Sequence, residues 1–194
     1  MGSQVQILAV SFIFKMIEAE IRSFVSEDKF SELLDFFKKN AKEQKEDYQE
    51  TYYFKSPTDV RIQKNKFFSK IWMKKGKVHD ESREEIEVKF PIDDFKKIEA
   101  IFKEMGHDVY IKWFRDRISF KYRDFDICLD KTKGYGNILE IERLCEDSEK
   151  EKALEEIKIF FRKLGVDITP REEFERKFSD YKTNWQTLTG ETNL

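Results

Sequence analysis

The chain has 194 residues, of which 39% are charged and 15% aromatic, with 19 phenylalanines, and its formal net charge at pH 7 is −2. That length suits one domain with a sizeable core, and the aromatic content excludes a disordered chain. The near-neutral balance excludes a global field that would draw nucleic acid, so any anionic ligand must be met by a local cluster.

Val5 to Phe14 is apolar but lacks preceding basic residues and is too short to span a bilayer, so no membrane association is expected. It reads as a tail over residues 1–15 with Met16 as the natural start, or else as a lengthened first strand or a surface contact. Glu18-Ala19-Glu20-Ile21-Arg22 then alternates as a strand does, with Glu18, Glu20 and Arg22 on one face and Ile17, Ala19 and Ile21 on the other. Ser26 is placed to cap the helix that follows, whose apolar face is Phe30, Leu33, Leu34 and Phe37. A polar run from Asn40 to Asp47 leads to strands over Tyr48 to Phe54, Val60 to Gln63 and Phe67 to Lys74. The charged pattern returns in Arg83 to Val88, which aligns Arg83, Glu85 and Glu87. A second helix follows with Phe95, Ile98, Phe102 and Met105 on one face and Gly106 as its C-terminal stop.

Asp108 to Trp113 and Arg115 to Tyr122 read as two strands, the second with Arg115 and Arg117 on one face. Phe125 to Asp130 places Asp126, Cys128 and Asp130 on one side, and the Gly134-Tyr135-Gly136 turn leads to Leu139–Glu142, which aligns Glu140 and Glu142. Ser148 and Glu151 suggest a capping box for a third helix through Leu154, Ile157, Phe161 and Leu164, stopped at Gly165. Thr169, Pro170 and Glu172 suggest the cap of a last helix through Phe174, Phe178 and Tyr181, with fraying from Thr187. The expected organisation is a tail over 1–15, one domain over 16–182 and a second tail over 183–194. Cys128 and Cys145 have no metal-ligand spacing and no companion histidines, and a reduced, cytoplasmic compartment is the simple reading.

Strands at short spacing, mostly joined by turns, with helices among them predict an α+β fold: an antiparallel sheet closed or nearly closed on itself, with amphipathic helices packed outside. The charged faces then occupy the lumen, where crowded carboxylates repel one another unless protons or cations intervene. Hard divalent ions bound by carboxylates, with Arg and Lys holding phosphate oxygens, would resolve that conflict. A solvated sheet face or a set of internal salt bridges gives the same alternation.

The sequence resembles the CYTH superfamily, the triphosphate tunnel metalloenzymes, from about residue 16 to 180. The pieces that carry the likeness are E-A-E-I-R at Glu18–Arg22, Q-E-T-Y-Y at Gln49–Tyr53, V-R-I at Val60–Ile62, R-E-E-I-E at Arg83–Glu87, R-D-R at Arg115–Arg117, I-C-L-D at Ile127–Asp130 and G-Y-G-N-I-L-E-I-E at Gly134–Glu142. P-R-E-E-F at Pro170–Phe174 looks like the ending of the class IV adenylyl cyclase branch. The resemblance implies a closed eight-stranded antiparallel β-barrel with amphipathic helices packed outside, whose open tunnel holds a triphosphate and Mg²⁺ or Mn²⁺. By position, Glu18, Glu20, Glu140 and Glu142 match the metal-binding carboxylates, and Asp130 matches the aspartate that supports them at the metal. Arg22, Arg61, Lys74, Arg83, Arg115 and Arg117 match the phosphate ligands, with Lys75 an alternative to Lys74. Glu85 and Glu87 match acidic residues that would serve catalysis. Gln63 stands where many members have an arginine, and Trp72 where a threonine is common. Implied reactions are cyclisation of ATP to cyclic AMP and pyrophosphate, or hydrolysis of tripolyphosphate, thiamine triphosphate or a nucleotide. A non-catalytic triphosphate-binding module is a third reading. The expected partner is that small molecule, not nucleic acid, and the protein could be a monomer or a homodimer.

Overall fold

The computed structural model describes residues 16–74 and 85–191. The apolar stretch Val5–Phe14 and the expected tunnel residue Arg83 lie outside them. Strand β1 (Met16–Val25) is followed by α1 (Glu27–Asn40), β2 (Glu43–Phe54), β3 (Asp59–Lys64), β4 (Ser69–Lys74) and β5 (Glu85–Phe90). Then come α2 (Phe95–Glu104), β6 (Val109–Tyr122), β7 (Phe125–Thr132), β8 (Gly136–Glu146), α3 (Lys150–Lys163) and α4 (Arg171–Thr189). Among the described residues no helix is long and apolar enough to cross a membrane.

All eight strands join one antiparallel sheet in the order β1-β8-β7-β6-β2-β3-β4-β5. Among the described residues no backbone pairing joins β1 to β5, which corrects the expected closure: by hydrogen bonding the sheet has two edges. The described parts of β3, β4 and β5 cover six residues each, against ten in β1 and fourteen in β6, and residues 75–84, between β4 and β5, with the alternative tunnel residue Lys75, lie outside the described ones.

Alternation sorts the side chains into two faces. Ala19 and Ile21 of β1, Ile127 and Leu129 of β7, and Leu139 and Ile141 of β8 pack under α1 and α3, with Phe30, Leu33, Phe37, Ile157 and Phe161. Tyr52, Phe54, Ile62 and Ile71 pack under α2 against Phe95 and Phe102, where Phe54 and Phe102 stack at 4.5 Å. The opposite face carries the charges. One end of it is covered by α4, whose Phe178, Tyr181 and Trp185 meet Tyr53, Ile111 and Trp113.

Several boundaries differ from expectation, each for a reason of pairing. The polar run before Tyr48 is strand from Glu43, because Glu43 to Asp47 pair with Lys121 to Arg117. The two strands expected between Asp108 and Tyr122 are one, held on both sides by β2 and β7. The capping box before α3 uses Glu146 and Glu149, not Ser148 and Glu151, since β8 runs on to Glu146. Thr169 does not cap α4. Its Oγ1 accepts from the Phe24 amide at 2.9 Å and lies 2.9 Å from Ser23 Oγ, tying the chain to β1. Helix α4 runs past the expected fray at Thr187 to Thr189, anchored where Trp185 Nε1 donates to the Tyr110 carbonyl at 2.9 Å. By contrast Ser26 caps α1 through the Lys29 amide, and Gly106 and Gly165 follow α2 and α3 with φ of 83° and 65°, as the sequence predicts.

Candidate functional site

On the charged face, register places Glu20 opposite Glu142, Arg22 and Cys128 opposite Glu140, and Arg117 opposite Asp130. Asp130 is 1% exposed and lies at the centre. Its Oδ1 accepts from Arg117 Nε at 2.8 Å. Its Oδ2 accepts from Arg117 Nη2 at 2.7 Å and Arg115 Nη1 at 3.1 Å. Arg117 Nη2 also donates to Glu140 Oε1 at 2.7 Å. One guanidinium therefore bridges two buried carboxylates in fork geometry, which fixes its plane. Arg22 pairs with Glu20 at 3.1 Å, and with both side chains more than a third exposed that pair holds little by itself. Glu18 shares this face and is exposed.

A polar floor extends from this group. Arg115 Nε donates to Gln49 Oε1 at 3.1 Å, and Gln63 Nε2 donates to Gln49 Oε1 at 3.3 Å and to Thr51 Oγ1 at 3.0 Å. Beyond it, Arg61 donates to Asp59 through Nε at 2.7 Å and Nη2 at 2.5 Å, and lies 4.3 Å over the Tyr53 ring. Lys70 Nζ pairs with Glu87 at 2.6 Å and stands 4.6 Å from the Trp72 ring. The structure thus gathers Glu20, Arg22, Arg115, Arg117, Asp130, Glu140 and Glu142 directly. Arg61 and Glu87 form a separate group on the same face, each already engaged. Lys74 of β4 and Glu85 of β5 are paired in the backbone register.

A model of the CYTH domain family matches residues 16–179. The chain belongs to the CYTH domain family. It is 32% identical over 162 residues to a Methanocaldococcus jannaschii protein named "Putative adenylate cyclase", covering 78% of this chain and 91% of that one. The solved structure of the PH1012 protein from Pyrococcus horikoshii aligns with a TM-score of 0.65 at 24% identity, over 78% of this chain and 92% of that chain. A Hippeastrum protein described as a "putative adenylyl cyclase" with "a dominant" triphosphatase activity aligns with a TM-score of 0.63 at 17% identity, over 84% and 96%. These two likenesses establish the fold.

CYTH proteins are metal-dependent, and the donor set on this face suits a cation. Burial and then the Glu140 charge push the Glu142 carboxyl up to about 9, and the same two causes push Glu20 up to about 7. Burial would also raise Glu140, but Arg117, the hydrogen bond with Glu142, and Arg22 and Arg115 outweigh it and hold it well below the usual carboxylate range. Glu20 and Glu142 thus hold protons beside the ionised Glu140, where a divalent ion would otherwise supply the positive charge. The donors able to hold it are oxygens of Glu20, Glu140 and Glu142, with Glu18 beside them. Both Asp130 oxygens are occupied by guanidinium groups, so Asp130 supports this set through Arg117.

Sequence reasoning missed Gln49 as the residue that steers Arg115, and Asp59 as the partner that occupies Arg61. Gln49 belongs to the Q-E-T-Y-Y piece, but nothing in its type signals the role. It also missed the convergence of Cys128 with Glu140 and Glu142, although strand alternation puts Cys128 on the face of Asp126 and Asp130.

Proposed function

We propose that this CYTH protein is a divalent-metal-dependent enzyme that acts on a triphosphate, most like class IV adenylyl cyclase, converting ATP to cyclic AMP and pyrophosphate. The observation that carries this reading is the direct contact of the Glu20, Glu140 and Glu142 group with the Arg117 guanidinium fixed by Asp130. Anion binding alone would be weakened by three acids beside the arginines, whereas a metal-loaded triphosphate needs both signs.

When bound, Mg²⁺ or Mn²⁺ polarises phosphoryl oxygens and neutralises charge that develops on them. Arg117 and Arg115, oriented by Asp130 and Gln49, bind phosphate oxygens, and Arg22 adds a more exposed cation at the mouth of the group. Arg61 would join them on leaving Asp59, and Lys74 and Arg83 are assigned to phosphate by resemblance. The 3′-oxygen attacks the α-phosphorus, the bond to the β-phosphate oxygen breaks, and pyrophosphate departs. The hydroxyl proton passes to a carboxylate, for which Glu85 or Glu87 is proposed.

A triphosphatase is the second reading, favoured by the activity described for the Hippeastrum neighbour of the same fold. Water then replaces the 3′-hydroxyl as nucleophile. Incubating the protein with Mn²⁺ and ATP or tripolyphosphate separates the readings. Cyclic AMP with pyrophosphate supports the cyclase, orthophosphate supports the triphosphatase, and tight binding without turnover of either would refute both in favour of a binding module.

A further inference from the structure

Trp72 lies on β4, where Ile71 packs under α2 and alternation turns Trp72 to the charged face, in register between Arg61 of β3 and Glu87 of β5. It is 6% exposed, yet it belongs to none of the three apolar clusters formed by the described residues. Its ring is attended instead by two cations, with Lys70 Nζ at 4.6 Å and Arg61 Cζ at 5.8 Å from the centroid. Its Nε1–H is buried without a hydrogen-bond partner among the described residues, a state shared there only by the hydroxyls of Ser69 and Thr132.

A hydroxyl turns about its C–O bond to reach a partner, but an indole N–H is fixed in the ring plane and can only donate. Trp185 shows the ordinary solution, since its Nε1 donates to the Tyr110 carbonyl. A donor left buried and unpaired carries a desolvation cost that an acceptor brought by a ligand removes. The neighbours set the sign of that acceptor. Arg61 and Lys70 are held by carboxylates, those of Asp59 and Glu87, and an anion arriving between them would take the place of those carboxylates and draw the two cations off the ring.

We propose that Trp72 is a substrate-contacting residue, whose indole N–H donates to a phosphate oxygen of the triphosphate beside Arg61 and Lys70. This rests on the triphosphate reading above and adds to it a neutral donor that fixes the position of one phosphate. An ammonium attracts an anion from many directions, whereas a rigid N–H is satisfied along one line of approach. The contact is with the phosphate chain and not with a base, so tripolyphosphate without a nucleoside is enough to make it.

The test follows the side-chain N–H resonances of the three tryptophans by NMR in the isotope-labelled full chain, titrated with tripolyphosphate and Mg²⁺, which avoids the line broadening of Mn²⁺. The resonance missing from Trp72→Phe identifies Trp72, and Trp113→Phe with Trp185→Phe assign it by elimination where that variant does not fold. On saturation the Trp72 resonance should move downfield, as a donor to an anion does, and by more than the other two. Trp72→Phe keeps an aromatic ring for the two cations and loses the N–H, so calorimetry should read a fall of about tenfold or more in tripolyphosphate affinity. Affinity for Mg²⁺ alone should stay the same. If tripolyphosphate binds the wild type while the Trp72 resonance stays in place, or binds folded Trp72→Phe as tightly as the wild type, the contact is overturned and the triphosphate reading stands. Failure of tripolyphosphate to bind the wild type overturns that reading and this inference together.

Discussion

Asp130→Ala removes one carboxylate whose two oxygens accept three hydrogen bonds from Arg115 and Arg117. The Asp130 side chain is 1% exposed and those of Arg117 and Arg115 are 17% and 21% exposed, so water does not freely replace the lost partner. Removing one member of a buried pair costs about 3–5 kcal/mol. Here Arg117 keeps Glu140 and Arg115 keeps Gln49, so the low end, about 3 kcal/mol, is expected. At roughly 2–4 °C per kcal/mol for a chain of this size, the melting temperature should fall by about 6–12 °C. Thermal and urea unfolding followed by circular dichroism measure this directly. Asp130→Asn should recover only part of the loss, since an amide offers one oxygen and turns donors toward a guanidinium. If Asp130→Ala unfolds within about 1 kcal/mol of the wild type, the exposed-ion-pair regime applies and the reasoning fails.

Glu20 and Glu142 have folded-state pKa values raised above the unfolded 4.5, to about 7 and about 9. The folded state therefore binds more protons across that window, and metal-free stability should fall as pH rises from about 5 to about 9. Melting temperatures in a chelator that rise or stay flat over this range would contradict the crowding of these carboxyls, and saturating Mn²⁺ should flatten the profile. Glu20→Gln should abolish metal-dependent turnover while raising metal-free stability at pH 8, where the charged Glu20 is unfavourable. Activity assays and melts on the same sample decide it, and a stable variant with wild-type activity would remove Glu20 from the site. Gly134 has φ of +73°, and a Cβ there would lie 2.6 Å from Leu188 Cβ and 2.8 Å from its carbonyl oxygen. Gly134→Ala should therefore destabilise by about 1–3 kcal/mol and loosen the end of α4, read as faster hydrogen exchange at Trp185 to Thr189.

Much of the site was legible because strand alternation is local. Glu18, Glu20 and Arg22 share a face by spacing alone, and the same holds for Glu140 with Glu142 and for Arg115 with Arg117. What each charge touches was not legible, because partners come from strands distant in sequence. Asp130 spends both oxygens on arginines, Asp59 holds Arg61, and Lys70 holds Glu87, all settled by register and rotamer. The same cause hid the extent of β2 and the unity of β6, where polar residues without strand propensity are held by their neighbours. Closure of the sheet was an expectation from strand spacing and from the family resemblance, and among the described residues no backbone pairing joins β1 to β5.

The central claim is that Arg117, fixed by two carboxylates, receives the phosphates of a metal-loaded triphosphate. Calorimetric titration of tripolyphosphate with Mn²⁺ into the wild type and Arg117→Ala tests it most directly. A loss of about 1.5–3 kcal/mol in binding free energy, the range for a hydrogen bond to a charged group, is predicted for a variant that remains folded. Equal affinity in the two proteins would contradict the account.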